Sequence, residues 1–424
     1  MVLGAGAAGL AAAHDLSQAG LTVTVIEARD RIGGRIFTVH DPRSPVPIEL
    51  GAEFVHGEPP VTFAIARAAR LSVVELPQRH VAVVGGRVQP MKGFWRAVVT
   101  MTRDLARRAK RRGRDFAVSE YFERARLTPE RRTWLRDFVE GYHAARPELL
   151  SARWVSSASD ELDDDASERR QFRLPGGYDA VIRWLRDNLN PHSSEVRLRT
   201  VAHALEWREG DVVARCRTED GAAANVHARA AVIALPHAVL RAGELQFEPR
   251  LPAKERALAR LEPGDVFKIV LRFRRSFWKD DVLFFYAHGE TIPGWWTAVP
   301  AHAPVLTGWV GGPRAQAFLA NPPEVRLEQT LDALARVFAV PRPSLDDQLD
   351  DWASHDWRAD PFSRAAYTYV GVGGVGAPRA LARPVSGTLF FAGEATEGEQ
   401  MGTVAGALHS GRRAAREVIR ALRG

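Results

Sequence analysis

The sequence has 424 residues, 46% of them hydrophobic and 26% charged, with a formal net charge of +7. That length exceeds one small core and points to two domains in an ordinary globular protein. No apolar run approaches the ~20 residues of a membrane span, and the single cysteine, Cys216, excludes an intrachain disulfide. A cytoplasmic enzyme with no membrane partner is therefore expected.

Val2-Leu3 leads into Gly4-Ala5-Gly6-Ala7-Ala8-Gly9. A helix is predicted from Ala7 to about Gly20, and a second apolar strand, Leu21 to Ile26, ends on Glu27. In such a turn Gly4 permits the sharp bend and Gly6 lets the backbone approach a pyrophosphate. Gly9 lets helix and strand pack closely, and the helix N-terminus faces the phosphate charge. Glu27 falls where a carboxylate accepts hydrogen bonds from an adenosine ribose. Strand, turn, helix, strand and acid in this order predict a dinucleotide site. Met1 abuts the first strand, so no signal peptide is expected. It also places the expected native start upstream, since a buried strand usually has about five or six residues.

From Met91 to about Leu150 the pattern is helical, with Phe94, Val98, Met101 and Leu105 on one face. Arg103 to Arg114 is the one dense basic block and reads as a solvated helix face. A docking patch for an anionic surface is its alternative, but no aromatic residues interleave there to stack bases, so no nucleic-acid partner is expected. Ser156 to Glu168 is acidic, and Asp160 to Asp165 reads as a solvated loop. Pro175-Gly176-Gly177 precedes a helix from Tyr178 to Leu189. Strands follow at Val196 to Leu198, Val201 to Trp207, Val212 to Arg217 and Ala230 to Leu235. Cys216 alternates with Val212 and Ala214, as a packed thiol does. A further strand, Val266 to Phe273, contains Lys268, one of only five lysines, at 92, 110, 254, 268 and 279. An unpaired ammonium between Phe267 and Ile269 is costly, which marks Lys268 for chemistry. Leu389 to Phe391 is a strand running into a turn, and the last helix spans Gly402 to Leu422. No group of His or Cys has metal-ligand spacing.

These segments resemble the flavin-containing amine oxidases, the family of monoamine oxidases, polyamine oxidases and lysine-specific histone demethylases. The likeness runs nearly end to end. Its anchors are the opening turn, Gly33-Gly34-Arg35, Glu49 to Gly57, and Leu389 through Ala415. It implies an α/β fold: a discontinuous Rossmann-like FAD-binding domain (1–80, 178–257 and 361–424) with an inserted α+β substrate domain (81–177 and 258–360). It implies FAD held by Gly4, Gly6, Gly9, Glu27, Arg35, Gly51, Ala52, Val201, Trp357, Gly393, Glu394, Thr403 and Val404. By similarity Lys268 holds a water at flavin N5, Tyr367 forms an aromatic wall, and His56 sits at the substrate.

Two departures bear on the site. Ala366 stands where monoamine oxidases carry the cysteine that bonds FAD, so the cofactor is expected to be noncovalent. Thr403 replaces the second tyrosine of their cage, so the cage is expected to be one-sided. Trp295, Trp296 and Trp309 are expected to shape the pocket. The implied reaction is oxidation of a primary or secondary small-molecule amine, polyamines included, by an oxidoreductase using O2. A same-fold flavoenzyme acting on an amino acid or desaturating a carbon chain is the alternative. Oligomeric state is not readable.

Overall fold

The computed structural model describes residues 1–157, 170–279 and 281–423. The acidic stretch Asp160 to Asp165 lies outside the described residues.

Five short strands form one parallel sheet, in the order Ser194–Arg197, Val23–Ile26, Val2–Leu3, Ala231–Ile233, Leu389–Phe391. Both ends of the chain therefore meet in one layer. Val2, Val25, Val232 and Phe390 pack one face against the helices Ala7–Gln18 and Asp179–Asp187. The last helix, Val404–Arg423, lies on Ala7–Gln18 so closely that a Cβ at Gly411 would collide with the Ala8 carbonyl. Small residues make this approach possible, because two helices without bulky ridges can bring their backbones together. The other sheet face is covered by strands of a four-stranded sheet that includes Thr200–Arg208 and Asp211–Thr218. Val212, Ala214 and Cys216 alternate inward there, and burial pushes the Cys216 thiol up to about 11. It is a packed thiol.

The second large sheet has seven strands, ordered Leu349–Ser354, Val266–Phe273, Val305–Gly311, Gly294–Thr297, Phe284–Tyr286, His80–Val84, Arg87–Pro90. Helices Gly312–Leu319 and Pro323–Phe338 cover one face, meeting Phe267, Ile269, Leu271 and Trp295. Period-two alternation turns Lys268, Trp296 and Trp309 to the opposite face. Tryptophan clusters mark this region in the sequence, and the structure adds strands at 80–90, 284–297 and 305–311 that the sequence pattern does not announce. A helical lobe, Phe94–Arg112, Val118–Arg124 and Pro129–Tyr142, buries Phe94, Val98, Met101 and Leu105 as their spacing predicts. Between the large sheets, the short strands Ile48–Glu49 and Val55–His56 carry the segment Glu49 to Gly57.

Candidate active site

One cavity of about 930 Å³ runs between the two large sheets. At one end lies the glycine turn, where the three glycines serve different needs. Gly4 has φ +95°, a left-handed conformation that side chains disfavour. A Cβ at Gly9 would collide with the Gly4 carbonyl oxygen. Gly9 is thus a packing residue and does not line the cavity, a correction to its expected place among the cofactor contacts. Gly6 is different: it has ordinary extended backbone, and an added Cβ would meet only the Gly33 oxygen at 3.9 Å. No packing reason within the protein requires glycine at 6, which lines the cavity at the N-cap of the helix Ala7–Gln18. A ligand backbone-close to the helix start would require it.

Glu27 lies beside this turn. Its two oxygens accept from the amides of Ala5 at 2.8 Å and Arg29 at 2.9 Å, leaving further lone pairs toward the cavity. Arg29 in turn donates to Asp360 at 2.6 Å and Ser363 at 2.8 Å, tying the turn to the segment before Tyr367. Val201 is the second residue of the strand Thr200–Arg208, whose Thr200 amide donates to the Glu27 carbonyl at 2.9 Å. The residues present fit an adenine dinucleotide at this end.

Further along, Arg35 donates through Nη1 to the Ala366 carbonyl at 2.8 Å and to Glu394 at 3.0 Å. Glu394 is buried and also accepts from Thr368 at 2.7 Å and from the Gly402 amide at 3.1 Å. Burial alone would raise its pKa, but Arg35 and the hydrogen bonds outweigh this and hold it below the usual range. Both its oxygens are spent on protein donors, so Glu394 orients Arg35 and the Gly402 turn. The Gly393 amide donates to Ser410 at 2.8 Å. Thr403 caps the last helix, its hydroxyl accepting from the Gly406 amide at 2.9 Å, and its own amide donates to Gln400 at 3.3 Å. The Val404 amide is the first in that helix without an acceptor among the described residues.

Lys268 enters from the seven-stranded sheet, 3% exposed. Its ammonium donates to Glu53 at 2.8 Å and to the Gly51 carbonyl at 3.1 Å. Two of three donors are thus used. Glu53 also takes Arg173 at 2.6 Å and the Trp296 indole at 3.0 Å. Burial pushes the Glu53 carboxyl up, yet Lys268 and Arg173 outweigh it and keep its pKa low. Arg173 gave no signal in the sequence, since its partner is 120 positions away. Gly51 must be glycine, because a Cβ there would collide with the Arg35 carbonyl, and Ala52 donates to that same oxygen at 3.2 Å. Trp357 is buried and donates to the Leu50 carbonyl at 3.1 Å.

Tyr367 donates its hydroxyl to the Tyr142 carbonyl at 3.0 Å, and burial pushes its phenol up, so the hydroxyl stays protonated. Trp309 lies nearly parallel to it, at 14° and a centroid distance of 6.5 Å. The cage expected to be one-sided therefore has a second aromatic ring, supplied by a strand rather than by position 403. Trp296 lines the cavity, whereas Trp295 is fully buried on the helix side of the same strand and does not. His56 also lines the cavity, with its ring open to that space, and the surrounding protein lowers its pKa. Apart from Gly9 and Trp295, the structure brings every expected site residue to this one cavity. Among the described residues no group of His, Cys, Asp or Glu is arranged to hold a metal, and no helix is long and apolar enough to cross a membrane.

The model of the flavin containing amine oxidoreductase family matches residues 7–419. Polyamine oxidase 2 of Arabidopsis thaliana is 30% identical over 98% of this chain and 87% of its own length. Lysine-specific histone demethylase 1 homolog 3 of the same organism is 28% identical over all of this chain, which spans only 30% of that protein. Cyclohexylamine oxidase from Brevibacterium oxydans IH-35A shares the fold, with a TM-score of 0.84 at 22% identity over 100% of this chain and 99% of its own. A mixed α/β fold, a cradle that suits an adenine dinucleotide and a match over nearly the whole length agree: the chain belongs to the flavin-containing amine oxidoreductase family, and its cofactor is FAD.

Proposed function

We propose that this protein oxidises a primary or secondary amine to an imine, which water hydrolyses to an aldehyde or ketone, with O2 reduced to H2O2. The observation that carries this reading is the continuity of one cavity from Gly6 and Glu27 to Lys268, Tyr367 and Trp309. We assign 1–80, 178–257 and 361–424 to cofactor binding, and 81–177 with 258–360 to the substrate side. When bound, FAD supplies the two-electron acceptor for the amine's Cα–H and the route from there to dioxygen.

The protein's own residues do the rest. Gly6 and the helix start receive the phosphates, Glu27 accepts from the ribose, and Arg35 adds a positive charge whose direction Glu394 sets. The amine gives up two electrons and two hydrogens, one from Cα and one from nitrogen, so it must arrive neutral at the reacting atoms. The Lys268 ammonium disfavours a second positive charge beside it. Tyr367 and Trp309 flank the reacting end and exclude water, and His56, its pKa lowered, offers a neutral imidazole to an N–H. Lys268 keeps a donor for a water or for oxygen reduction. No side-chain nucleophile is required.

The test is a peroxide-release screen of the purified yellow protein against amines and amino acids. Release with amines supports the reading. Activity confined to amino acids, or a protein that binds no flavin, overturns it.

A further inference from the structure

Beyond Lys268 the cavity is walled by rings. From Trp309 the wall passes through Trp296, Phe284 and Tyr286 to His288, with successive centroids 5.7, 5.8, 5.9 and 5.8 Å apart. Phe94 closes it, 5.9 Å from Tyr286 and 5.0 Å from His288. All six line the cavity.

The carboxylates of this recess are already neutralised. Glu53 is held between Lys268 and Arg173. Asp137 faces Arg314 at 2.6 Å, and its other oxygen takes His288 at 3.1 Å and the Gly289 amide at 2.9 Å. Outside the cofactor end, Glu58 pairs with Arg170 and Glu244 with Arg364. Glu399 has no ion-pair partner among the described residues, but it is exposed, where water screens it. His80 and His143 contribute no charge at neutral pH, since burial holds both at about 4.

A second ammonium in this recess would exchange its hydration for aromatic rings alone, whose attraction falls short of the cost of desolvation, with no free carboxylate there to meet it. It would also feel Lys268, whose ammonium already lies 5.4 Å from the Trp296 ring centroid. An apolar tail meets no such cost and gains burial against the rings. We infer that the carbon tail of the amine lies in this recess, so that the protein selects amines with one nitrogen and an aryl or long alkyl tail over di- and polyamines. This deepens the amine-oxidation reading and rests on it.

The experiment compares n-alkylamines and phenylalkylamines with chain-matched α,ω-diamines and a triamine on the holoprotein. Turnover is followed by peroxide release, and binding by anaerobic perturbation of the flavin absorbance. The monoamines should lead by about 100-fold or more in kcat/KM, with binding in the same order. Tyr286→Ala, checked for flavin content, should raise KM for a phenylalkylamine about tenfold and shift that of a short alkylamine by less than about twofold. Diamines bound as tightly as their matched monoamines would overturn the inference, as would an equal effect of Tyr286→Ala on both tail lengths. Failure of the underlying reading looks different: no amine of either class would be turned over.

Discussion

The Lys268 ammonium stands 2.8 Å from a carboxylate oxygen of Glu53, and the same carboxylate holds the Arg173 guanidinium at 2.6 Å. One anion thus serves two cations in a site where Lys268 is 3% exposed. The arrangement is asymmetric, and the asymmetry is testable.

Replacing Lys268 leaves Glu53 paired with Arg173, whereas replacing Glu53 leaves two buried cations facing each other. Glu53→Gln should therefore cost roughly 3–5 kcal/mol of stability, and Lys268→Met only about 1 kcal/mol. Denaturant melts of the two variants check the order. Under the proposed function Lys268→Met also keeps its flavin but is reoxidised slowly by O2. Reoxidation at the parent rate would remove Lys268 from that role.

Gly6 and Gly9 separate ligand from packing. Gly6→Ala should fold with a melting temperature close to the parent's when stripped of cofactor, yet hold FAD at least about tenfold more weakly, because its Cβ fills ligand space. Gly9→Ala should lose roughly 3 kcal/mol or more, since its Cβ collides with backbone that cannot swing away. Equal melting temperatures for the two stripped variants would contradict this division.

Burial pushes Glu49 up to about 7 from its ordinary 4.5, despite hydrogen bonds from the Tyr178 amide and Thr38. A carboxyl whose pKa is raised on folding contributes stability that is complete below about 4.5 and lost as pH rises through 7. The loss amounts to roughly 3 kcal/mol across that window. Glu49→Gln should flatten the fall in melting temperature between those two pH values relative to the parent. Parallel curves for the two proteins would show that Glu49 ionises normally in the fold.

Ala366 offers only its backbone carbonyl, to Arg35 at 2.8 Å, and Cys216 lies packed in a different sheet. Acid precipitation should therefore leave FAD in the supernatant. Flavin that pellets with the polypeptide would reveal a covalent link through some other residue.

What could be read from the chain was whatever short-range order carries. The turn from Gly4 to Gly9, the acid at 27 and the spacing of Phe94, Val98, Met101 and Leu105 are local patterns, and each appears where its spacing placed it. The strand Val266–Phe273 was bounded correctly, because a run of β-branched and aromatic residues is itself a strand signal. The strands Phe284–Tyr286, Gly294–Thr297 and Val305–Gly311 are harder: the first two are very short, and the glycines at 294, 308 and 311 weaken the strand signal.

Sequence by itself pointed to the family and its flavin cofactor, to the meeting of the chain's two ends in one domain, and to a lysine set within an apolar strand. Only the tertiary structure decided which anion accompanies that ammonium, that Arg173 shares the same carboxylate, and that Trp309 lies parallel to Tyr367. Ion pairs and ring stacks join residues far apart along the chain, and their geometry exists only once the sheets are packed. Backbone turns need only their neighbours, which is why they could be read first.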